Sequence, residues 1–208
     1  EILKKHFKKK FNSKLKSDLE KFQESHKFLK TYSVLKILYE KGKGSHWTEW
    51  GKDSKYSDGL CDKIKASNEE SYFFQVWLQF IAFQQLKEIK IHLEKNEVYL
   101  KGDMPILTSG NSVDVWSRNN LFDLSLFSGA PPDAFSADGQ NWGFPVINWE
   151  EMRKEKFSWW KERVEYLENF YHMYRIDHVL GMYRIWAIPI KAKKAKMGYF
   201  RPQIGITH

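Results

Sequence analysis

From residue 69 onward the hydrophobic period of this chain switches back and forth, and few folds accept that pattern. Phe73, Val76, Trp77 and Phe80 fall at i, i+3, i+4 and i+7, and Phe83, Leu86 and Ile89 prolong the stripe. The spacing predicts a long helix over residues 69–92. "EVYLKGDMPI" breaks the helical period and reads as a short strand at residues 98–100, with Gly102 and Asp103 at its C-terminal end. Residues 108–148 are rich in Gly, Pro, Asn, Asp and Ser, which predicts a long loop, and loops of that length usually carry function. A second helix is expected over residues 150–171, with Trp160, Val164, Leu167 and Tyr171 as its buried stripe. Residues 174–179 then form a strand that ends near Gly181. Helix, strand, long loop, helix, strand is the order that builds parallel strands in an α/β fold.

The region before residue 69 differs in character. Residues 1–43 hold 13 Lys against 5 Asp or Glu, a surplus of eight that equals the net charge of +8 for the whole chain. Leu15, Leu19 and Phe22, then Leu35 and Leu38, give that region a helical apolar face. The lysines read as the solvated side of amphipathic helices. A nucleic-acid patch is the competing reading, but no aromatic platform or zinc knuckle accompanies it, so no nucleic-acid partner is expected. A looser stretch, "GKGSHWTEWGKDSKYSDG", follows. Residues 1–68 are thus expected to form a basic helical insertion or subdomain, and residues 69–208 a separate α/β portion.

The 15 Phe, 10 Tyr and 9 Trp exclude a disordered chain and call for a core, an interface or a sugar cleft. A single cysteine, Cys61, allows no internal disulfide and no zinc set, so no metal and no cofactor are expected, and the simplest setting is a reducing, cytoplasmic one. No apolar run reaches membrane-spanning length, so no membrane partner is expected.

The chemistry concentrates in "YRIDHVLGMYRIWAIP", where Arg175, Asp177 and His178 stand among apolar and aromatic residues. In a strand Arg175 and Asp177 share a face, and an arginine beside the carboxylate keeps it ionised. Spacing alone leaves a structural salt bridge and a functional carboxylate equally open. "KGDMPI" has the same form, with Asp103 at a strand end. Between them, "GAPPDAFSADGQNWGFP" displays Phe135 and Trp142 beside Asp133, Gln140 and Asn141. One aromatic would more simply tuck into the core. Several hydrogen-bonding side chains beside two rings suit a sugar, which has an apolar C–H face and a ring of hydroxyls.

The ordered run of "KGDMPI", "SVDVW", "GAPPDAFSADGQNWGFP", "WEEM" and "RIDHVLGMYRIWAIP" resembles the amylomaltase, or 4-alpha-glucanotransferase, family, glycoside hydrolase family 77. The likeness covers about residues 69–207. "SHWTEW" and "YFRPQI" resemble the branch that includes the plant cytosolic disproportionating enzyme. The resemblance implies a partial (β/α)8 TIM barrel with helical insertions and retaining transfer of alpha-1,4-glucosyl units. Maltose, maltodextrin or soluble glucan is then the partner. It further implies that Asp177 is the nucleophile, with Arg175 and His178 its subsite partners. Asp103 matches the family's aspartate at the end of the third barrel strand. Asp133, Phe135, Gln140, Asn141 and Trp142 fall on the loop that lines the acceptor side. The family's acid/base glutamate and third aspartate come from later strands, and no Asp or Glu occurs after Asp177. Glu150 and Glu151 lie upstream and do not match the acid. A chain that begins at Glu1 is therefore expected to be a fragment with half an active site. The alternative is a non-catalytic glucan-binding relic of the same fold.

Overall fold

A computed structural model describes residues 1–202. Residues 203–208, which include the end of the "YFRPQI" motif, lie outside the described residues. The chain divides into two compact units, Glu1–His92 and Leu93–His208.

The first unit is helical. Helices α1 (Ile2–Lys10), α2 (Ser13–Ser25) and α3 (Phe28–Lys41) are followed by short 3-10 turns at Trp47–Glu49 and Gly51–Ser54, then by α4 (Asp58–Ser67) and α5 (Glu69–Lys95). Local chemistry sets the starts: Asn12 Oδ1 accepts from Leu15 N at 2.9 Å, and Ser57 Oγ accepts from Leu60 N at 3.1 Å. Phe7, Leu19, Leu29, Val34, Tyr72, Phe73 and Val76 are fully buried. The Phe7 ring meets Phe11, Phe74 and Trp77 at centroid distances of 4.9–5.6 Å. Lys8, Lys16 and Lys30 of the basic face pair with Glu70, Glu69 and Asp62. The apolar stripe of α5 is buried only in its first half: Leu86 and Ile89 are exposed.

The second unit departs from the expected boundaries in ways that local physics explains. The strand predicted at residues 98–100 is β1, Lys101–Pro105. Glu97 adopts the left-handed conformation (φ 57°), and Glu97 N and Val98 N donate to Glu94 O and Leu93 O. This Schellman closure of α5 consumes Val98, so the strand starts later and Asp103 sits at its middle. After α6 (Val113–Ser117), the supposed loop over residues 108–148 is a β-hairpin of β2 (Phe122–Ala130) and β3 (Gln140–Ile147). Phe122, Leu124 and Leu126 carry a strand period that the surrounding Gly, Pro and Asn obscure. Gly129 makes the hairpin possible, because a Cβ there would stand 2.0 Å from Gln140 O. The helix expected over residues 150–171 is two helices, α7 (Trp149–Lys154) and α8 (Ser158–Leu167). Lys156 and Phe157 break it with φ of 53° and 58°. Strand β4 is Met173–Asp177, and β5 (Ile185–Pro189) and β6 (Tyr199–Arg201) follow.

β1 and β4 pair in parallel, as the alternation predicts, and the mixed helix and strand content is that of an α/β fold. A four-stranded antiparallel sheet, ordered β3-β2-β5-β6, was not predicted. Trp116, Leu121, Met152, Trp159 and Ile188 are buried in this unit, with the Trp159 ring edge-on to Phe122 of β2 at 5.5 Å. Trp159 Nε1 donates to Asp114 Oδ1 at 2.8 Å, which satisfies the indole in that core.

Candidate active site

The parallel register places Asp103 opposite Arg175 and Pro105 opposite Asp177. Gly102 and Met104 are the buried alternates of β1, so Lys101, Asp103 and Pro105 belong to its open face. Directly opposed residues share a face, and Asp103, Arg175 and Asp177 therefore stand together on it. Arg175 Nη2 donates to Asp103 Oδ2 at 2.7 Å. This corrects the expected pairing: the arginine holds Asp103 across the strands and not Asp177 two residues along its own. The cross-strand pair wins because the register sets the two side chains directly opposite. The surroundings are also more open than the apolar sequence implied. Arg175 and Asp103 side chains are 61% and 57% exposed, so their pairing contributes about 0.2–1 kcal/mol at most. Asp177 is exposed, and its carboxylate makes no hydrogen bond or ion pair among the described residues.

His178 follows at once with φ 52°, turning the chain sharply at the end of β4. Its ring meets Trp142 edge-on, with centroids 4.9 Å apart and planes at 83°. The hairpin and the end of β4 thus come together through this pair. Gly181 N donates to His178 O at 2.8 Å, and a Cβ on Gly181 would lie 2.8 Å from His178 Cδ2. His178 Nε2 is buried without a hydrogen-bond partner among the described residues.

Other predicted residues hold the hairpin in shape. Gln140 Oε1 accepts from Trp142 Nε1 at 3.0 Å, and Asn141 Oδ1 accepts from Gly143 N at 2.9 Å. Asp133 Oδ1 accepts from Phe135 N and Ser136 N at 2.9 and 2.7 Å, an Asx turn at the hairpin tip. That turn leaves Phe135 97% exposed. Trp142 meets His178; no hydrogen bond, ion pair or ring contact joins Asp133 or Phe135 to β4 among the described residues.

Arg163 was not singled out from sequence. Its guanidinium lies over Trp159 and Trp160 at 4.4 and 4.8 Å, and Nη2 donates to Pro105 O at 2.6 Å, at the end of β1 beside Asp177's register position. Burial pushes it below the usual arginine value, against the opposing pull of Asp114. The signal was the helical spacing of Trp159, Trp160 and Arg163. Among the described residues, no group of three His, Cys, Asp or Glu is placed to hold a metal ion. No described helix is long and apolar enough to cross a membrane.

A parallel strand pair with a carboxylate at its end, flanked by an aromatic hairpin, places the chain among α/β proteins, and the family follows from comparison. The profile of glycoside hydrolase family 77, 4-alpha-glucanotransferase, matches residues 1–206, and the chain belongs to that family. It is 38% identical over 187 residues to the 4-alpha-glucanotransferase DPE2 of Oryza sativa subsp. japonica, covering 88% of this chain and 20% of that protein. It is 34% identical over 197 residues to a 4-alpha-glucanotransferase of Clostridium butyricum, covering 90% and 40%. The amylomaltase of Streptococcus agalactiae, solved in complex with acarbose, superposes with a TM-score of 0.84 at 26% identity, over 91% of this chain and 40% of that one. The chain therefore spans only a fifth to two fifths of the length of these relatives.

Proposed function

We propose that the chain is part of the catalytic domain of a 4-alpha-glucanotransferase. Residues 69–208 supply part of a (β/α)8 barrel, and residues 1–68 a helical insertion. The substrate is maltose, maltodextrin or a soluble glucan, and a glucosyl unit passes to a sugar hydroxyl with retention. Asp177 is the nucleophile. Its carboxylate oxygen attacks the anomeric carbon, the glycosidic C–O bond breaks, and a protonated acid delivers its proton to the departing oxygen. The acceptor hydroxyl then displaces Asp177 and returns a proton to the same group. No carboxylate follows Asp177, so in this reading the acid/base residue comes from outside the 208 residues.

One observation carries the proposal: the β1–β4 register gathers Asp103, Arg175 and Asp177 on one open face beside the Trp142–His178 contact. Asp103 and Arg175 hold each other and, in this reading, orient sugar hydroxyls. Trp142 offers an apolar ring for a sugar face, and Gln140 fixes the orientation of its indole. Asn141, Asp133 and Phe135 shape the acceptor side. Buried Cys61, its thiol pushed up to about 11 by burial, suits a reducing cytoplasmic setting. The test is incubation of the full-length protein with maltose and separation of the products. Glucose together with longer maltodextrins is expected; glucose alone means hydrolysis and overturns the transferase reading.

A further inference from the structure

We propose that His172 is a positioning residue, a neutral-imidazole latch that fixes the register of β1 and β4 and opens on protonation. Its importance for turnover rests on the glucanotransferase reading; the latch itself does not. His172 lies just before β4. Its Nδ1 accepts from Leu100 N at 2.9 Å, and its Nε2 is 3.0 Å from Glu94 Oε1. A backbone N–H can only donate, so Nδ1 carries no proton, and the hydrogen-bond network assigns the proton to Nε2, directed at Glu94. The backbone closes the same junction, with His172 N and Met173 N donating to Leu100 O at 2.9 and 3.4 Å. Beside it the Tyr171 ring lies against Gly102, where a Cβ would stand 2.5 Å from Tyr171 Cδ2. The imidazole is only 13% exposed. It joins the end of α5, the approach to β1 and the start of β4.

The first register pair, Lys101 with Met173, follows directly. A slip of one residue there would end the opposition of Asp103 and Arg175, because strand faces alternate with a period of two. The imidazolium has no lone pair, so protonation at Nδ1 turns an acceptor into a donor facing the Leu100 N–H. The contact with Glu94 survives and becomes an ion pair. Among the described residues, the titratable groups set against the ring are Glu94 from the end of α5 and Tyr99 from the approach to β1, whose ring is edge-on at 5.4 Å. Protonation therefore keeps the ring on the α5 side and releases the strand side.

The test is hydrogen exchange of residues 98–105 in the full-length protein, corrected for intrinsic rates. It compares about pH 8 with about pH 5.5, the interval over which histidine side chains in general can change charge. Protection should fall about tenfold at the lower pH, the scale of one lost hydrogen bond. His172→Asn keeps an acceptor near the Nδ1 position and should stay protected at both pH values. His172→Gln places its amide nearer Glu94 and should be unprotected at both. Wild-type protection that does not change with pH overturns the latch without any variant. Equal protection of the Asn and Gln variants overturns the role of Nδ1. In the maltose assay, His172→Asn should also remove the acid-side loss of kcat attributable to this group. If no transfer occurs at all, the glucanotransferase reading fails while the exchange measurements still decide the latch.

Discussion

Asp177 and Trp142 carry the residue-level argument. Asp177 stands on the open strand face with no partner to occupy its oxygens among the described residues, so a carboxamide is accommodated there without loss of contacts. On the proposed function, Asp177→Asn in the full-length protein should lower maltose disproportionation on the order of a thousandfold or more, the scale expected for loss of a covalent nucleophile. Sugar binding, measured by calorimetry, should be largely retained. Near-normal turnover would remove Asp177 from the nucleophile's role. Trp142 is half-buried against His178. Trp142→Ala should raise the acceptor KM up to about tenfold, the equivalent of the ~0.5–1.5 kcal/mol of an aromatic contact, with little change in thermal midpoint. A large fall in the midpoint with normal acceptor kinetics would return the ring to a packing role. Both residues could be singled out in the sequence because the signals that mark them are local. The partner of Arg175 was not legible: Asp103 lies 72 positions away, and only the register of two strands brings it opposite.

Elements were legible where one signal dominated. α5 begins at Glu69 as its periodicity predicts, and β4 lies within two residues of its expected limits. They were missed where a residue did a job outside its usual type. Glu97 takes a left-handed cap position normally given to glycine, so the start of β1 was misplaced. Phe157, also left-handed, splits α7 from α8 without any Gly or Pro to announce it. The hairpin hid for the opposite reason, since Gly and Pro usually mark loops and here serve bulges in β2 and β3. That sheet is tied across its strands by Asp123 of β2, which accepts from Ser125 and from Arg201 of β6. Burial alone would raise the Asp123 carboxyl; the bonds from Ser125 and Arg201 outweigh it and hold it below the usual carboxylate range. A carboxyl with a depressed folded value stabilises above its unfolded value of about 3.9 and loses that contribution as pH falls through the folded value. Asp123→Asn should therefore lower the thermal midpoint by ~2–4 °C near neutrality, the effect of ~1 kcal/mol in a domain of this size. The gap between variant and wild type should close below about pH 4. A gap that persists unchanged at about pH 2.5 would show that the carboxylate's charge is not what ties β2 to β6.

For the whole molecule, the proposed function turns on how much of a barrel these residues can complete. Among the described residues β1 has β4 as its one strand neighbour, and β4 has β1. Around that pair Met173, Ile176, Val179 and Leu180 are exposed, apolar side chains of the kind that further strands and helices cover in a closed barrel. In the proposed function the site chemistry is similarly one-sided. A retaining mechanism needs two carboxyl groups about 5–5.5 Å apart, one ionised and one protonated. Asp103, the carboxylate nearest Asp177 in the register, is held by Arg175 on the open face, and a carboxylate paired with arginine is a poor proton donor. On the proposed function, Asp177 thus has no acid opposite it among the described residues. The isolated 208-residue chain should accordingly show no disproportionation of maltose, even when its circular dichroism matches the mixed helix and strand content described above. Supplying the remaining barrel residues as part of the same polypeptide should restore it. Release of glucose from maltose by the purified 208-residue chain would mean that an acid is already present. Glu150 and Glu151, at the start of α7, would then be the first carboxylates to substitute.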